Sequence, residues 1–254
     1  MSNDIKVLLA GESWIIHSIH IKGYDSFTSS GYGNGAVRLI EALETQGISV
    51  CHIPNHLAAT DFPLSLEELV EYDVVILSDI GSNTLLLHPD TWSKSKCTPN
   101  RLELLREYVK NGGGFMMFGG YLSFQGFEGK GHYRFAPIAD VLPVNMLIGD
   151  DRVEVPQGIK IRVKQKEHPI VKGVPEVFPP ILSYNKLEAK DPKHVIVDYP
   201  ENGDPMLIGW EYGKGRALAF AADCAPHGAS TEFLDWEYYP KLWGQAVHWL
   251  ARKL

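Results

Sequence analysis

The sequence predicts an α/β fold, a doubly wound, mostly parallel sheet with an antiparallel C-terminal extension. Three features of the 254-residue chain support this prediction. Short apolar runs alternate with helical patterns through the first half, which is typical of parallel strands joined by crossover helices. Glycines end several of these segments. From about residue 150 apolar residues recur at every second position instead, as in strands with one solvated face.

The first half contains four predicted strands. Residues 5–11 form a continuous apolar run, typical of a strand that is buried on both faces of a parallel sheet. A helix follows, because apolar residues between positions 36 and 43 recur at helical spacing and Gly47 then stops them. The same criteria predict strands at 48–53, 73–78 and 115–118 and helices near 64–71 and 98–111.

The second half is predicted to be richer in β structure. Residues 159–164 alternate between apolar and polar side chains, and a closing helix near 242–250 has an apolar stripe that would pack on the sheet. Because no Pro/Gly/Ser-rich or charged block divides the chain, we expect one domain over 1–254 with a β-rich elaboration at about 150–215. Further strands are predicted at 194–198, 206–211 and 216–221.

Composition excludes several classes of function. A formal net charge of −7 with scattered basic residues argues against a nucleic-acid partner. No apolar run reaches the roughly 18 residues that span a bilayer, so no membrane partner is expected. Residues 1–4 lack a basic and apolar leader pattern, which favours the cytoplasm. Cys51, Cys97 and Cys224 show no CxxC spacing, so we expect free thiols.

Ligands of open parallel sheets bind outside the carboxyl ends of the strands. Residues that follow the first, third and fourth strands are therefore the candidate ligand-binding residues. For the two carboxylates among them, the alternative role is capping of the next turn or helix. The set comprises Glu12, Ser13, Trp14, Asp79, Gly120 and Tyr121.

The stretch between the first strand and the first helix is predicted to be a binding loop or lid. The glycines at 31, 33 and 35 are too far from a strand for a dinucleotide fingerprint, so a glycine-rich lid or turn is favoured. His17, His20 and Asp25 could ligate a metal only if a helix brought them together, and no helical pattern surrounds them. We therefore predict no metal site and no cofactor.

Paired glycines after the fourth strand predict a sharp elbow of the kind that displays a nucleophile. The displayed residue is Tyr121, whose phenol, with an ordinary pKa near ~10, is a poor nucleophile. This elbow is thus predicted to bind or orient a ligand. Ser123 is the alternative hydroxyl, but no adjacent base is evident, which favours a plain loop serine.

The densest reactive cluster follows the last strand, where Asp223, Cys224 and His227 lie within five positions. Cys224 and His227 are the candidate catalytic residues, because a turn at Pro226 could pair thiolate with imidazolium. The other interpretation, a small buried cysteine beside a structural histidine, is favoured for Cys224, because cysteine is among the most often buried residue types.

These residues resemble the class I glutamine amidotransferase-like superfamily, in particular its bacterial glutamine amidotransferase-like branch related to trehalose-utilisation-type domains. The resemblance rests on residues 112–124, 223–227 and 242–245 and implies a flavodoxin-like fold over nearly the whole chain. Active members carry a cysteine at the elbow and a histidine after the last strand. This chain has Tyr121 and His227 at those places, and Ala229 stands where a His-x-Glu pair would have its acid. The resemblance therefore does not imply the usual Cys-His glutaminase.

The preferred hypothesis is an amidotransferase-like protein that binds a small polar metabolite at the carboxyl edge of the sheet. One alternative is a hydrolase or transferase that uses Cys224 with His227, and another is a non-catalytic assembly or partner-binding domain. Several aromatic residues in 233–239 are expected in an exposed loop, which predicts a homo-oligomer, most simply a two-fold dimer. A lid over the pocket is the alternative use of that loop.

Overall fold

The structure, a computed structural model, describes residues 5–254. The start of the chain, residues 1–4, on which part of the location argument rests, lies outside the described residues. The strands are β1 (Lys6–Gly11), β2 (Ser13–Lys22), β3 (Asp25–Asn34), β4 (Ser49–Ile53), β5 (Val74–Ser78), β6 (Gly114–Phe118), β7 (Val144–Met146), β8 (Arg152–Val163), β9 (Val177–Asn185), β10 (Leu187–Ala189), β11 (Val195–Asp198), β12 (Pro205–Tyr212) and β13 (Gly215–Phe220). The helices are α1 (Val37–Thr45), α2 (Asn55–Asp61), α3 (Leu66–Leu69), α4 (Ser82–Leu86), α5 (Pro89–Lys94), α6 (Arg101–Lys110), α7 (Ile138–Val141), α8 (Thr231–Leu234) and α9 (Tyr239–Leu250).

A mixed sheet organises the described residues, with strand order β4-β1-β5-β6-β13-β12-β11-β8-β9. The first five strands of this order are parallel, and the other four continue it antiparallel. Numbered among themselves, the parallel strands run 2-1-3-4-5, the flavodoxin-like order. The predicted α/β class with an antiparallel extension is confirmed. One detail differs from the prediction, which placed residues 216–221 in the antiparallel extension. Strand β13 pairs antiparallel with β12 but also parallel with β6, so it belongs to the parallel half as well.

Continuous apolar sequence explains the central strands. Every residue of β5 and of β6 is buried, since helices cover both faces of the parallel half. The order reverses between β1 and β5, which lie side by side with Val7 opposite Val74. This position is the topological switch point, where neighbouring connections leave the sheet on opposite faces and open a crevice.

The predicted loop or lid after β1 is wrong, because residues 13–34 form the long antiparallel hairpin β2–β3. Alternating isoleucines in β2 are the strand signal that the loop interpretation passed over. The glycines of β3 make room for the opposite strand. Gly33 lies opposite Trp14, and a Cβ at Gly33 would stand 2.3 Å from the Trp14 ring.

The aromatic segment before α9 was expected in an exposed loop, and this expectation is wrong. Phe233 and Tyr239 are buried, and Trp236 is half-buried against Phe178 and Phe233. Phe233 also stacks on Phe220 of β13, so these rings complete the protein's own core. They form neither an exposed interface nor a lid over the cleft.

The antiparallel extension brings β9 back to the centre of the molecule. The end of this strand, Asn185, donates a backbone hydrogen bond to Ala221 O just after β13. The buried apolar cluster runs without interruption from the parallel half into the extension. Among the helices of residues 5–254, none has the length and apolar character needed to cross a bilayer.

Candidate functional site

The switch point between β1 and β5 carries two acidic residues in unusual backbone conformations. Glu12 follows β1 with φ of 51° and Asp79 follows β5 with φ of 41°. Gly11, at φ 109°, precedes Glu12, and a Cβ there would lie 1.9 Å from Ser78 O. Only glycine fits this approach of the two strand ends. Left-handed conformations at Glu12 and Asp79 carry strain that is typical of functional sites.

The Glu12 carboxyl group is completely buried. Its Oε2 accepts a hydrogen bond from Ser78 Oγ at 2.6 Å and lies 3.8 Å from the Cys224 sulfur. Its Oε1 has no hydrogen-bond partner among the described residues. Burial, followed by the charge of Asp79, raises the pKa of Glu12 to about 7, against the opposing hydrogen bonds with Ser78, Asp223 and Cys224.

The elbow after β6 is held by two side chains, Asn185 at the end of β9 and Asp79 directly after β5. Gly120, at φ 144°, donates its N–H to Asn185 Oδ1 at 2.9 Å, and the Asn185 amide donates back to Gly120 O at 3.1 Å. Asp79 Oδ1 accepts from the Leu122 N–H at 2.7 Å. A Cβ at Gly120 would lie 2.8 Å from that same carboxylate oxygen, so the elbow can close on Asp79 only through a glycine.

Tyr121 projects from this elbow and is half exposed. Its hydroxyl donates to Glu154 Oε1 at 3.3 Å, and the Arg152 guanidinium lies 5.0 Å from its ring centroid. These partners belong to β8. The phenol is therefore fixed by an extension strand, in keeping with a role in binding or orientation.

The loop after β13 turns two of its three reactive side chains toward a cleft. Asp223 and His227 line the cleft, and the His227 ring lies 4.5 Å from the Trp14 ring. Cys224 points into the interior and is fully buried, with its sulfur 3.4 Å from Ser78 Oγ. The Cys224 sulfur thus contacts Ser78 and Glu12, and these contacts do not support the predicted pairing of Cys224 with His227.

The cleft has a volume of about 380 Å³. Trp14 and Tyr121 supply aromatic walls, and acceptors and an imidazole project between them. A narrow recess continues from the cleft toward Arg152, Glu154 and Asn185. The cleft lining comprises Trp14, Ile16, Asp79, Tyr121, Asp223 and His227.

The electrostatics of the cleft are dominated by carboxyl groups. Burial, followed by the charges of Glu12 and Asp79, raises the pKa of Asp223 well above its ordinary value. Burial raises the pKa of Asp79 too, against hydrogen bonds from the elbow. In the same way, burial and then the charges of Glu12 and Asp223 raise the pKa of Cys224 well above its ordinary value. The thiol is therefore protonated at neutral pH and is a poor nucleophile.

Most of the predicted binding residues converge on this cleft. Ser13 does not, because its hydroxyl accepts from Asn55 N at 2.8 Å and fastens the hairpin to α2. Ser123 is also structural, since its Oγ accepts from the Asp79 N–H. The predicted residues that form or directly support the cleft are Glu12, Trp14, Asp79, Gly120, Tyr121 and His227.

Sequence reasoning missed three residues of the extension, Arg152, Glu154 and Asn185. No motif marks them, because they reach the site by the pairing of β8 with β9. The histidines of β2 were considered as metal ligands only within a helix. His17 and His20 are three positions apart in a strand, so their side chains lie on opposite faces of the hairpin and do not form one ligand set.

Comparison with known proteins places the whole chain. A family model described as "Putative glutamine amidotransferase" matches residues 6–252. The chain belongs to this family. The resemblance inferred from the elbow and the last-strand loop is confirmed, and no match to a curated protein sequence was found.

Solved structures of similar proteins share the fold of this chain. Two proteins of Salmonella typhimurium, both described as cytoplasmic, are 47% and 46% identical to this chain. Each superposes with a TM-score of 0.92, covering 97% of this chain and 99% of its own. A ThuA-like protein of Bacteroides uniformis is 17% identical with a TM-score of 0.58, covering 97% of this chain and 91% of its own. This likeness concerns the fold alone.

Proposed function

We propose that the protein binds a small polar metabolite in the cleft and does not act as a cysteine-dependent glutaminase. One observation supports both parts. Asp79, Asp223 and His227 face the cleft, whereas Cys224 is buried beneath it. The polar groups that a ligand in the cleft can contact are thus the carboxyl groups of Asp79 and Asp223 and the imidazole of His227, and not the Cys224 thiol.

The lining indicates what such a ligand carries. Carboxyl oxygens of Asp79 and Asp223 accept hydrogen bonds, so the complementary groups on the ligand are hydroxyl or amino donors. Trp14 and Tyr121 offer ring surfaces for a carbon skeleton. A neutral or cationic, donor-rich molecule fits this cleft better than a carboxylic acid, because the cleft already holds several carboxyl groups.

The glutaminase reaction requires an activated nucleophile at the elbow. Tyr121 occupies that place with its hydroxyl bonded to Glu154, and the Cys224 thiol stays protonated under Glu12. We expect no ammonia release from glutamine by the purified protein. Steady release that is lost in a Cys224→Ser variant would contradict the proposal.

Ligand binding is tested by saturation-transfer NMR with two matched probe panels, neutral polyhydroxy compounds or amines on one side and the corresponding carboxylic acids on the other. We expect binding from the first panel only, abolished by Asp79→Asn. The control Glu41→Gln changes an acidic residue in a different surface cleft and should leave binding unchanged. Binding that survives Asp79→Asn, or preference for the acids, would overturn the assignment.

We also propose that the protein acts in the cytoplasm. The two Salmonella typhimurium relatives, at 47% and 46% identity, are described as cytoplasmic proteins. Fractionation of the producing cells, with the protein followed by antibody, tests this location. Recovery in the medium or a membrane fraction would contradict it.

A further inference from the structure

Three side chains at the floor of the cleft have the composition of a metal-binding set. Glu12, Asp223 and His227 each offer one ligand atom, and these atoms lie within 4.8 Å of one another. They come from the ends of β1 and β13, on opposite sides of the parallel half of the sheet. Two carboxylates and one imidazole are a donor set that proteins use for divalent transition metals.

An independent observation concerns Glu12 Oε1. Glu12 is completely buried, and while both carboxyl groups are ionised this oxygen lacks a hydrogen-bond donor among residues 5–254, although a shared proton would join it to the neighbouring Asp223 carboxyl. Buried carboxylate oxygens without a partner are costly, and each one calls for an explanation such as a bound ion. The oxygen stands close to the Gly35 backbone, where a Cβ would lie only 2.6 Å away, and glycine at this position keeps the space beside it open.

The charges near this oxygen strengthen the case. Glu12, Asp79 and Asp223 cluster in a largely buried space, and no lysine or arginine of the described residues forms an ion pair with any of them. Buried like charges repel strongly unless protonation, which the raised pKa values of Glu12 and Asp223 favour, or a bound cation neutralises them. A divalent ion would supply two positive charges where the side chains supply none.

We propose that Glu12, Asp223 and His227 bind one divalent transition-metal ion at the floor of the cleft. Zn²⁺ and Mn²⁺ suit the mixed nitrogen and oxygen donors. Around a tetrahedral ion with metal–ligand bonds of about 2.0–2.2 Å the ligand atoms lie roughly 3.3–3.6 Å apart, so a side-chain rotation must bring the atoms closer by up to about 1.5 Å. His227 is exposed and free to make it.

Three protein ligands leave coordination positions open toward the cleft, as catalytic metal sites do. Asp79 and Tyr121 face the same space without belonging to the ligand set. This inference goes beyond metabolite binding, although both use Asp223 and His227. Metal binding is measured with no metabolite present. A failure of the metal-binding assay therefore leaves the metabolite proposal to be judged by its own NMR assay, and the reverse also holds.

The test uses the full chain, stripped with a chelator and dialysed. Zn²⁺ is followed by calorimetry and by competition with a chromophoric chelator, and Mn²⁺ by electron paramagnetic resonance. We expect one equivalent per chain. His227→Gln should weaken the affinity by about tenfold or more through loss of a ligand. Because His227 is exposed, this variant should fold normally.

Two further variants separate this site from surface binding. Glu12→Gln keeps the shape of the side chain but removes its charge, and it should also abolish stoichiometric binding. The control His20→Gln removes an exposed imidazole of the hairpin and should leave binding unchanged. The proposal is overturned by absence of one-to-one binding in the unaltered chain, by binding that survives both His227→Gln and Glu12→Gln, or by binding lost in His20→Gln.

Discussion

Cys224 lies directly under the cleft with no exposed surface, and its sulfur is 3.8 Å from a Glu12 oxygen. A thiolate there would face two neighbouring carboxyl groups in a space that excludes water. Both burial and these charges favour the protonated thiol. Cys224 lies next to Asp223 and near His227 in the sequence, which suggested reactivity. In the structure it is a small, buried core residue.

This difference can be measured by thiol labelling. In a Cys51→Ser/Cys97→Ser variant the two exposed cysteines are removed and Cys224 remains as the sole thiol. We expect no modification of the native protein near neutral pH and one equivalent of label in denaturant, read by mass spectrometry. Fast labelling under native conditions would favour the alternative of a thiol-dependent hydrolase or transferase.

The candidate site was predictable to the extent that it depends on strand ends. Glu12, Asp79 and Tyr121 each follow a parallel strand, and the topology alone brings such residues together. Ser13 was misassigned, and for Cys224 a catalytic and a buried structural role both remained open, because sequence position gives no side-chain direction. Whether a side chain at a strand end points to cleft or core depends on dihedral angles that only the fold supplies.

At the scale of elements, the strands of the parallel half and helices α1, α6 and α9 were predicted near their observed positions. Their signals are long apolar runs or helical periodicity. Hairpin β2–β3 was missed, because its strands pack on little of the core and its strand signal is partial: Ile19 and Ile21 alternate with polar residues, but Ile15 and Ile16 are adjacent. Helix α2 was also missed, since it is short and has a single buried residue, Ala58.

Arg101, the first residue of α6, connects this helix to α2 and α4 through its buried side chain. Its guanidinium donates to carbonyl oxygens at the ends of α2 and α4, including Ala58 O at 3.2 Å and Leu85 O at 2.5 Å. It has no carboxylate partner among the described residues, and burial lowers its pKa. The N–H groups of the guanidinium thus donate hydrogen bonds to carbonyl oxygens at helix ends, which would otherwise lack a donor.

We predict that Arg101→Lys lowers the free energy of unfolding by about 2–4 kcal/mol, because the ammonium reaches fewer of these buried carbonyls. Urea unfolding followed by circular dichroism measures this change. Arg106→Lys, one turn along the same helix and partly exposed, is the matched control and should cost less than about 1 kcal/mol. Equal effects of the two substitutions would show that the buried guanidinium is unimportant.

His168 links a short turn to α9 and gives the fold a pH dependence. Its Nδ1 accepts from the Ile170 N–H at 3.3 Å, and its ring lies 5.4 Å from that of Trp249. Burial, and then the charge of Arg216, lowers the pKa of His168 to about 4. The ordinary value is near ~6.5, so the unfolded chain takes up a proton at a higher pH than the folded chain.

The free energy of unfolding should therefore fall as the pH drops from about 6.5 to about 4. Below that range the stabilisation that the neutral His168 provides is fully lost, and the stability no longer changes with this group. For a half-buried ring we expect a loss of about 1–2 kcal/mol once solvent screening is allowed for. His168→Asn retains a capping acceptor without the titration. Urea unfolding near neutral pH and near pH ~5 should show a smaller drop for the variant, and parallel drops would refute the assignment.

For the whole molecule, the surface available for self-association differs from the one the sequence suggested. The aromatic residues of 233–239 are largely used in the core, whereas hairpin β2–β3 leaves apolar side chains in solvent. Ile19 is 72% exposed and Ile21 75% exposed, on the same face as Ile15 and Tyr32. An exposed apolar hairpin of this length is typical of a surface that pairs with another chain.

We retain the prediction of a homo-oligomer, most simply a two-fold dimer, and now place its interface on this hairpin face. A stable interface buries roughly 1,000 Å² or more, which two hairpins packed face to face can approach. Ile21→Asp should shift a dimer to monomer in sedimentation at micromolar protein. Ile148→Asp, equally exposed at 75% but outside the hairpin, should not. A monomer in the unaltered protein would refute the prediction.

Strand β2 has one further consequence, because it belongs to two surfaces at once. Trp14 and Ile16 face the cleft, while Ile15, Ile19 and Ile21 lie on the other face of the same strand. A lone two-stranded hairpin is marginally stable in water, so contact on either face orders the other. If the chain dimerises through this face and binds a ligand in the cleft as predicted, self-association and cleft occupancy are linked equilibria, and the linkage is reciprocal. The apparent affinity of the cleft should then rise with total protein concentration, a cooperativity carried by one hairpin without any change in the sheet beneath it.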